Sequence, residues 1–180
     1  MIINDKNIRY WLFLKKTYDI RSYKGTNEYD YIVGKKYTYD SYVQNSNNVQ
    51  IGDFVIFRED DYILGYATID RIDKYKGIKE MRRCPKCKSS SLMKRKIKKP
   101  EWRCANPRNK ECKFEFDNPF LTKDEVIVSE SYFKNYIEFD KVVTVEQVKR
   151  CSATKFSTRV QNALMELNFI KIKKLINNEK

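Results

Sequence analysis

The sequence contains no histidine. That absence removes Ser-His-Asp hydrolysis, Cys-His proteolysis, histidine-ligated catalytic metals and HNH nuclease chemistry from these residues, because each needs an imidazole as base or ligand. Carboxylate–metal chemistry stays open. Glycine is scarce, with five residues in 180, and none falls in a Walker loop, a G-x-G-x-x-G turn or a G-x-S-x-G elbow. Internal repeats and low-complexity segments are absent. No apolar run approaches the roughly 20 residues of a membrane-spanning helix, and residues 1–30 lack a signal-peptide pattern. Together with an odd number of cysteines, five, this points to a reducing, cytoplasmic setting. What is present argues for a folded chain: 41% hydrophobic residues, 14% aromatic, and a mean hydropathy of −0.72. A chain of this length buries about 70% of its unfolded surface, enough for one substantial domain or one with a small satellite.

Charge is unevenly placed. The net formal charge is +13, and residues 74–113 alone hold 16 basic and 3 acidic residues, a net of +13. Residues 1–73 are at −1 and residues 114–180 at +1. A field concentrated in this way steers a polyanion and gains from counterion release, whereas solubility would need no such concentration.

The same segment carries Cys84-Pro85-Lys86-Cys87, then Cys104 and Cys112. A C-x2-C knuckle presents two thiolates from one side. The sixteen residues that follow allow a hairpin, Leu92 to Ile97 out and Trp102 to Cys104 back, turned near Lys99-Pro100. This returns a second pair to complete a tetrahedral zinc site. Four thiolates leave no open position, so the expected role of zinc is structural. The second pair is separated by seven residues, Ala105 to Glu111, where two to four are usual, and Asn106 to Asn109 reads as an extra turn. Cys151, far from the quartet, reads as a buried apolar residue.

Elsewhere the pattern is mostly β. Ile8 to Leu14 is an apolar strand around Trp11, and Phe54–Arg58 with Tyr62–Ile69 flank an acidic turn, a hairpin signal. Tyr29, Tyr31, Tyr37, Tyr39 and Tyr42 sit among polar residues, as in a loop. Val126–Val128 and Tyr132–Phe139 read as two strands. Thr144 and Gln147 form a capping box for a helix from Val145 to about Cys151. Ser157 caps an expected second helix in which Val160, Leu164 and Leu167 recur at helical spacing, and Ile170–Ile176 is an amphipathic docking stripe.

Tyr10-Trp11-Leu12-Phe13, then Ile51-Gly52-Asp53-Phe54-Val55-Ile56-Phe57, then Ile63-Leu64-Gly65-Tyr66-Ala67 resemble in order the EVE branch of the PUA-like superfamily. Residues 132–167 resemble the closing part of the PUA-like modules that precede HNH nucleases in modification-dependent restriction enzymes. The resemblance implies an α+β fold: a PUA-like (EVE-type) β-barrel with flanking helices and an inserted four-cysteine zinc ribbon. Its segments would be 1–80, the first part of the barrel; 81–117, the ribbon; and 118–180, the rest of the barrel and the C-terminal helices. At Leu14-Lys15-Lys16-Thr17 the sequence departs from the Lys-Ser-Glu-Pro continuation common in EVE modules.

By that resemblance the chain is a reader of a modified base, a modified cytosine in duplex DNA, flipped into an aromatic pocket and serving restriction or defence. Trp11 with Tyr37, Tyr39 or Tyr42 would stack the base, and Asp53, Ser41 or Asp40 would read its edge. Arg82, Arg83, Lys86, Lys88, Lys94, Arg95, Lys96, Lys98, Lys99 and Arg103 would hold the backbone, giving affinity and register while the pocket gives selectivity. Cleavage, if any, would lie in another domain or subunit. Two alternatives stand beside this: the same fold reading a modified RNA base, and a carboxylate–metal nuclease using Asp53, Glu59 and Asp61. A fourth, a zinc-ribbon adaptor for proteins, predicts no salt-sensitive nucleic-acid binding.

Overall fold

A computed structural model describes residues 8–15, 29–139, 142–153 and 163–177. It divides into two compact units. Among the described residues, the larger takes in 8–15, 30–75, 127–139, 142–153 and 163–177, and the smaller takes in Tyr29 and 76–126, which carry all four clustered cysteines. The smaller unit is wider than the expected 81–117, because it takes in the adjoining stretches of two long strands.

The larger unit is built on a mixed sheet. Strand β1 (Tyr10–Lys15) lies parallel to β4 (Phe54–Glu59) and antiparallel to β10 (Leu164–Leu167). The sheet continues through β5 (Tyr62–Arg83), β9 (Phe120–Glu138), β3 (Lys36–Asp40) and the short β2 (Tyr31–Ile32). The apolar runs in β1 and β4 do not alternate with polar residues because both faces of these strands are covered. Trp11, Phe13, Val55 and Phe57 face a core shared with Tyr37, Tyr39, Ile69 and Leu164. Tyr10, Leu12, Phe54 and Ile56 face a second core with Val148, Leu167 and Ile172, supplied partly by helices α1 (Val145–Arg150) and α2 (Phe169–Asn177).

The sheet is curled. Four strand spacings separate β3 from β1 in the hydrogen-bonded order, about 19 Å along a flat sheet. Yet the Tyr37 hydroxyl donates to the Leu14 carbonyl at 2.7 Å, and its ring lies 4.8 Å from that of Phe13. Only a strong curl brings those strands within one side chain of each other. Among the described residues the ladder ends at β10 and β2, and no pairing between them closes a barrel. Gly65 shows how tightly the wall is packed. A methyl group there would lie 2.4 Å from the Ile137 carbonyl oxygen and 2.7 Å from the Tyr136 hydroxyl, so a side chain is excluded.

Several local expectations change. The two strands expected at Val126–Val128 and Tyr132–Phe139 are one strand, β9, of 19 residues, which ends at Glu138. Leu164 and Leu167 lie on β10, not on a helix; Leu164 points into the first core and Leu167 into the second. Ser157 and Val160 lie outside the described residues. The capping box stands as expected: the Gln147 backbone N–H donates to the Thr144 hydroxyl at 3.2 Å, and the Gln147 side chain accepts from the Thr144 backbone N–H at 2.8 Å. Cys151 is buried in the second core, and burial pushes its thiol pKa up, the property of an inert thiol.

The smaller unit contains a three-stranded antiparallel sheet of β6 (Leu92–Lys94), β7 (Trp102–Cys104) and β8 (Glu115–Phe116). Its core is Cys84, Trp102, Cys104, Cys112 and Phe116. Three of those five side chains end in sulfur, so very little hydrocarbon holds it together. Among the described residues, no helix is long and apolar enough to cross a membrane.

Candidate metal centre and basic surface

The four cysteines come from four places in the smaller unit. Cys84 follows the end of β5, Cys87 sits in the turn after it, Cys104 ends β7, and Cys112 precedes β8. Their sulfurs all lie within 4.8 Å of one another, with 4.0 Å between Cys84 and Cys112 and 3.5 Å between Cys87 and Cys104. These separations are far beyond a disulfide bond of about 2.05 Å. A tetrahedral ion with metal–sulfur bonds of about 2.3 Å requires sulfurs about 3.8 Å apart, within the observed range. The quartet can hold a metal ion such as zinc.

The turns around the sulfurs are built for thiolates. The Cys84 N–H donates to the Ser89 carbonyl and the Lys88 N–H to the Cys84 carbonyl, both at 2.9 Å, closing the first knuckle. Lys88 takes a left-handed conformation, φ +58°, to reverse the chain there. The N–H two residues beyond a cysteine points at its sulfur in three cases: Ser89 to Cys87, Asn106 to Cys104 and Phe114 to Cys112. The Ser89 N–H, chiefly, draws the Cys87 thiol pKa down to about 6. Burial pushes Cys104 up to about 12 and raises Cys112 as well. Crowded, buried thiols resist ionising together, and a cation among them reverses that preference. The seven-residue separation of the second pair is absorbed by a loop at 105–111, in which the Asn106 side chain accepts from the Arg108 N–H at 3.0 Å.

The basic residues divide into two groups. Arg83 is ion-paired with Asp124 and donates through Nε to Thr122 at 2.8 Å. Arg95 pairs with Glu115 at 2.8 Å and Lys94 with Glu101 at 3.0 Å. Trp102 has the Arg82 guanidinium 5.5 Å and the Lys94 ammonium 5.6 Å from its ring, and Lys88 lies 4.0 Å from the Phe120 ring. These cations brace the smaller unit. Lys86, Lys96, Lys98, Lys99 and Arg103 have no acidic partner among the described residues, and the four lysines are exposed. Lys96, Lys98 and Lys99 occupy the tip of the β6–β7 hairpin.

The residues expected to form a base pocket are placed differently. Trp11 is completely buried, and its indole N–H donates to Asp53 Oδ2 at 2.8 Å. Asp53 is also buried and accepts two further N–H bonds, from Arg9 at 3.0 Å and Gln50 at 2.8 Å. Its carboxylate is occupied in tying β1 to the turn before β4. Tyr37 and Tyr39 are on strand β3, not in a polar loop, and their rings pack against Phe13 in the core. Asp40 is buried and accepts from the Tyr42 N–H, and the Ser41 hydroxyl accepts from the Ile127 N–H. Tyr42, 51% exposed in the following turn, is the most exposed aromatic of the set. The acids named for a nuclease are likewise engaged or solvated: Asp53 as above, Asp61 at a turn beside Arg58. Among the described residues, the cysteine quartet is the one cluster of potential metal ligands.

Compared with known protein families and with curated proteins, the sequence has no match.

Sequence reasoning missed Ser89, Ser90, Ser91 and Arg108, which line a cleft beside Cys87. The run of three serines just after the first knuckle was the available signal.

Proposed function

We propose that the chain is a nucleic-acid-binding module in which a structural zinc ion staples a basic ribbon that holds the phosphate backbone. One observation carries this reading. Lys86, Lys96, Lys98, Lys99 and Arg103 lack acidic partners among the described residues, and all belong to the short segment that supplies the cysteine quartet. Soft thiolates in a tetrahedral set favour zinc, and four of them leave no position for a catalytic water. The larger unit, a curled mixed sheet with two helices against one core, supports a PUA-like assignment. On that assignment the module reads a modified base, a modified cytosine in duplex DNA, for restriction or defence, and another domain or subunit does any cutting. The buried positions of Trp11, Tyr37 and Tyr39 move the stacking role to surface rings, with Tyr42 first among the residues already considered.

Binding of the zinc-loaded chain to duplexes identical except for one modified cytosine tests both parts. About six phosphate contacts should cost roughly a thousandfold in affinity between 50 and 200 mM salt. Weak, salt-independent binding would remove the nucleic-acid reading and favour a protein-binding adaptor. Equal affinity for modified and unmodified duplexes would leave a nonspecific binder, and preference for structured RNA would move the reading to RNA. Tyr42→Ala is the informative variant, because Trp11→Ala would damage the fold.

A further inference from the structure

The loop that separates Cys104 from Cys112 does more than reach the fourth ligand. Its residues Asn106, Pro107 and Arg108 form one wall of a cleft of about 430 Å³, and the run Ser89-Ser90-Ser91 with Lys88 forms the other. Arg83 and Cys87 complete the lining; no carboxylate faces the cleft, and its one anionic group, the Cys87 sulfur, is the one that a bound ion would neutralise in part. We infer that this cleft is a phosphate-binding site, taking one phosphate group of the nucleic-acid strand.

The chemistry of the lining supports that ligand over others. Phosphate is recognised by hydroxyl and N–H donors together with cations in a concave setting. Ser89 accepts a backbone N–H from Ser91 at 3.1 Å, which leaves its hydroxyl proton free to be donated into the cleft. The Ser90 and Ser91 hydroxyls and the Arg108 guanidinium have no side-chain partner among the described residues. The Arg83 guanidinium directs one N–H each to Thr122, Asp124 and the Lys88 carbonyl, so two of its five remain. That anchoring holds its plane in place and lowers the entropy lost when an anion arrives. A ribbon with a second knuckle of ordinary length would lack the Asn106–Arg108 wall, so the unusual cysteine spacing and the cleft have one origin.

The source of the phosphate rests on the nucleic-acid reading; the site itself rests on the cleft. The test is titration of the zinc-loaded full chain with inorganic phosphate, followed by backbone amide NMR. Saturable shifts should appear at Ser89, Ser90, Asn106 and Arg108. Arg108→Ala should weaken binding about tenfold, the worth of one charge-assisted hydrogen bond, and Ser90→Ala should weaken it less. Lys98→Ala, on the hairpin tip, should change it less than twofold. Unaltered zinc content in each variant shows that the fold is kept. A response that never saturates, or equal losses in Arg108→Ala and Lys98→Ala, would overturn the site even where salt-dependent duplex binding persists. Saturable, Arg108-dependent phosphate binding without duplex binding would uphold the site and sink the nucleic-acid reading instead.

Discussion

The two units are held together by different physics. Among the described residues, the larger has two apolar cores, of ten and nine buried residues, on opposite faces of one sheet. The smaller has a core of five, three of them cysteines. Burying a large apolar side chain is worth about 1.5–3 kcal/mol, so the first unit can be stable by packing alone. The second has two aromatic side chains and a quartet of thiols that can hold an ion, and an ion bound there would supply roughly 10–16 kcal/mol, as in comparable modules. Charge follows the same division: a unit that needs no hydrophobic surplus tolerates a surface crowded with lysine.

The sharpest break between the two comes from removing the metal. Chelation, or Cys104→Ser, should unfold the smaller unit while the larger keeps its sheet. Limited proteolysis should then cut within residues 85–115 and spare residues 30–75. Simultaneous loss of both would show that the division is one of shape and not of energetics. The converse experiment is Phe57→Ala, which should cost about 3–5 kcal/mol of global stability in chemical denaturation while leaving one metal ion per chain. Asp53→Ala comes next. It orphans the three N–H groups that the carboxylate accepts and should cost about 1–3 kcal/mol, with the near-ultraviolet signal of Trp11 altered. The smallest effect is electrostatic. Lys36, first, and the Tyr132 hydroxyl hold the Glu130 carboxyl below its ordinary range. A depressed carboxyl contributes stability that is present above its unfolded value, about 4.3, and is lost as pH falls through the folded value. Glu130→Gln should therefore flatten the acid limb of the stability curve of the larger unit and leave metal affinity unchanged.

Where the sequence pattern depended on local chemistry, it was legible. The β4–β5 hairpin, the Thr144 capping box and the Cys84–Cys87 knuckle each rest on residues within a few positions of one another, the β6–β7 hairpin returns Cys104 to that knuckle, and the structure places them as expected. It misled where two cores share one strand. Residues three apart lie on one face of a helix but on opposite faces of a strand. Leu164 and Leu167 are both buried because β10 has a core on each side, so strand burial imitated helical spacing. The tyrosines misled for a related reason. In β3 even the polar Thr38 and Asp40 are buried beside Tyr37 and Tyr39, so polar neighbours did not mean a loop. The basic residues were identified correctly as a charged segment, but which of them carry an acid partner depends on tertiary placement of Asp124, Glu101 and Glu115.

β5 and β9 are neighbours in the large sheet, and the 51 residues 76–126 form one excursion between the stretches of these strands that belong to the larger unit. Seen as a polymer, that excursion is a loop whose closure entropy depends on whether it is folded. As a flexible coil of 51 residues it would cost about 2 kcal/mol more to close than a four-residue turn joining the same two strands. Binding of an ion at the cysteine quartet shortens the effective loop without shortening the chain. A short turn joining β5 to β9 in its place would do the same by deletion, so the sheet would keep its strand order with the basic excursion removed or exchanged.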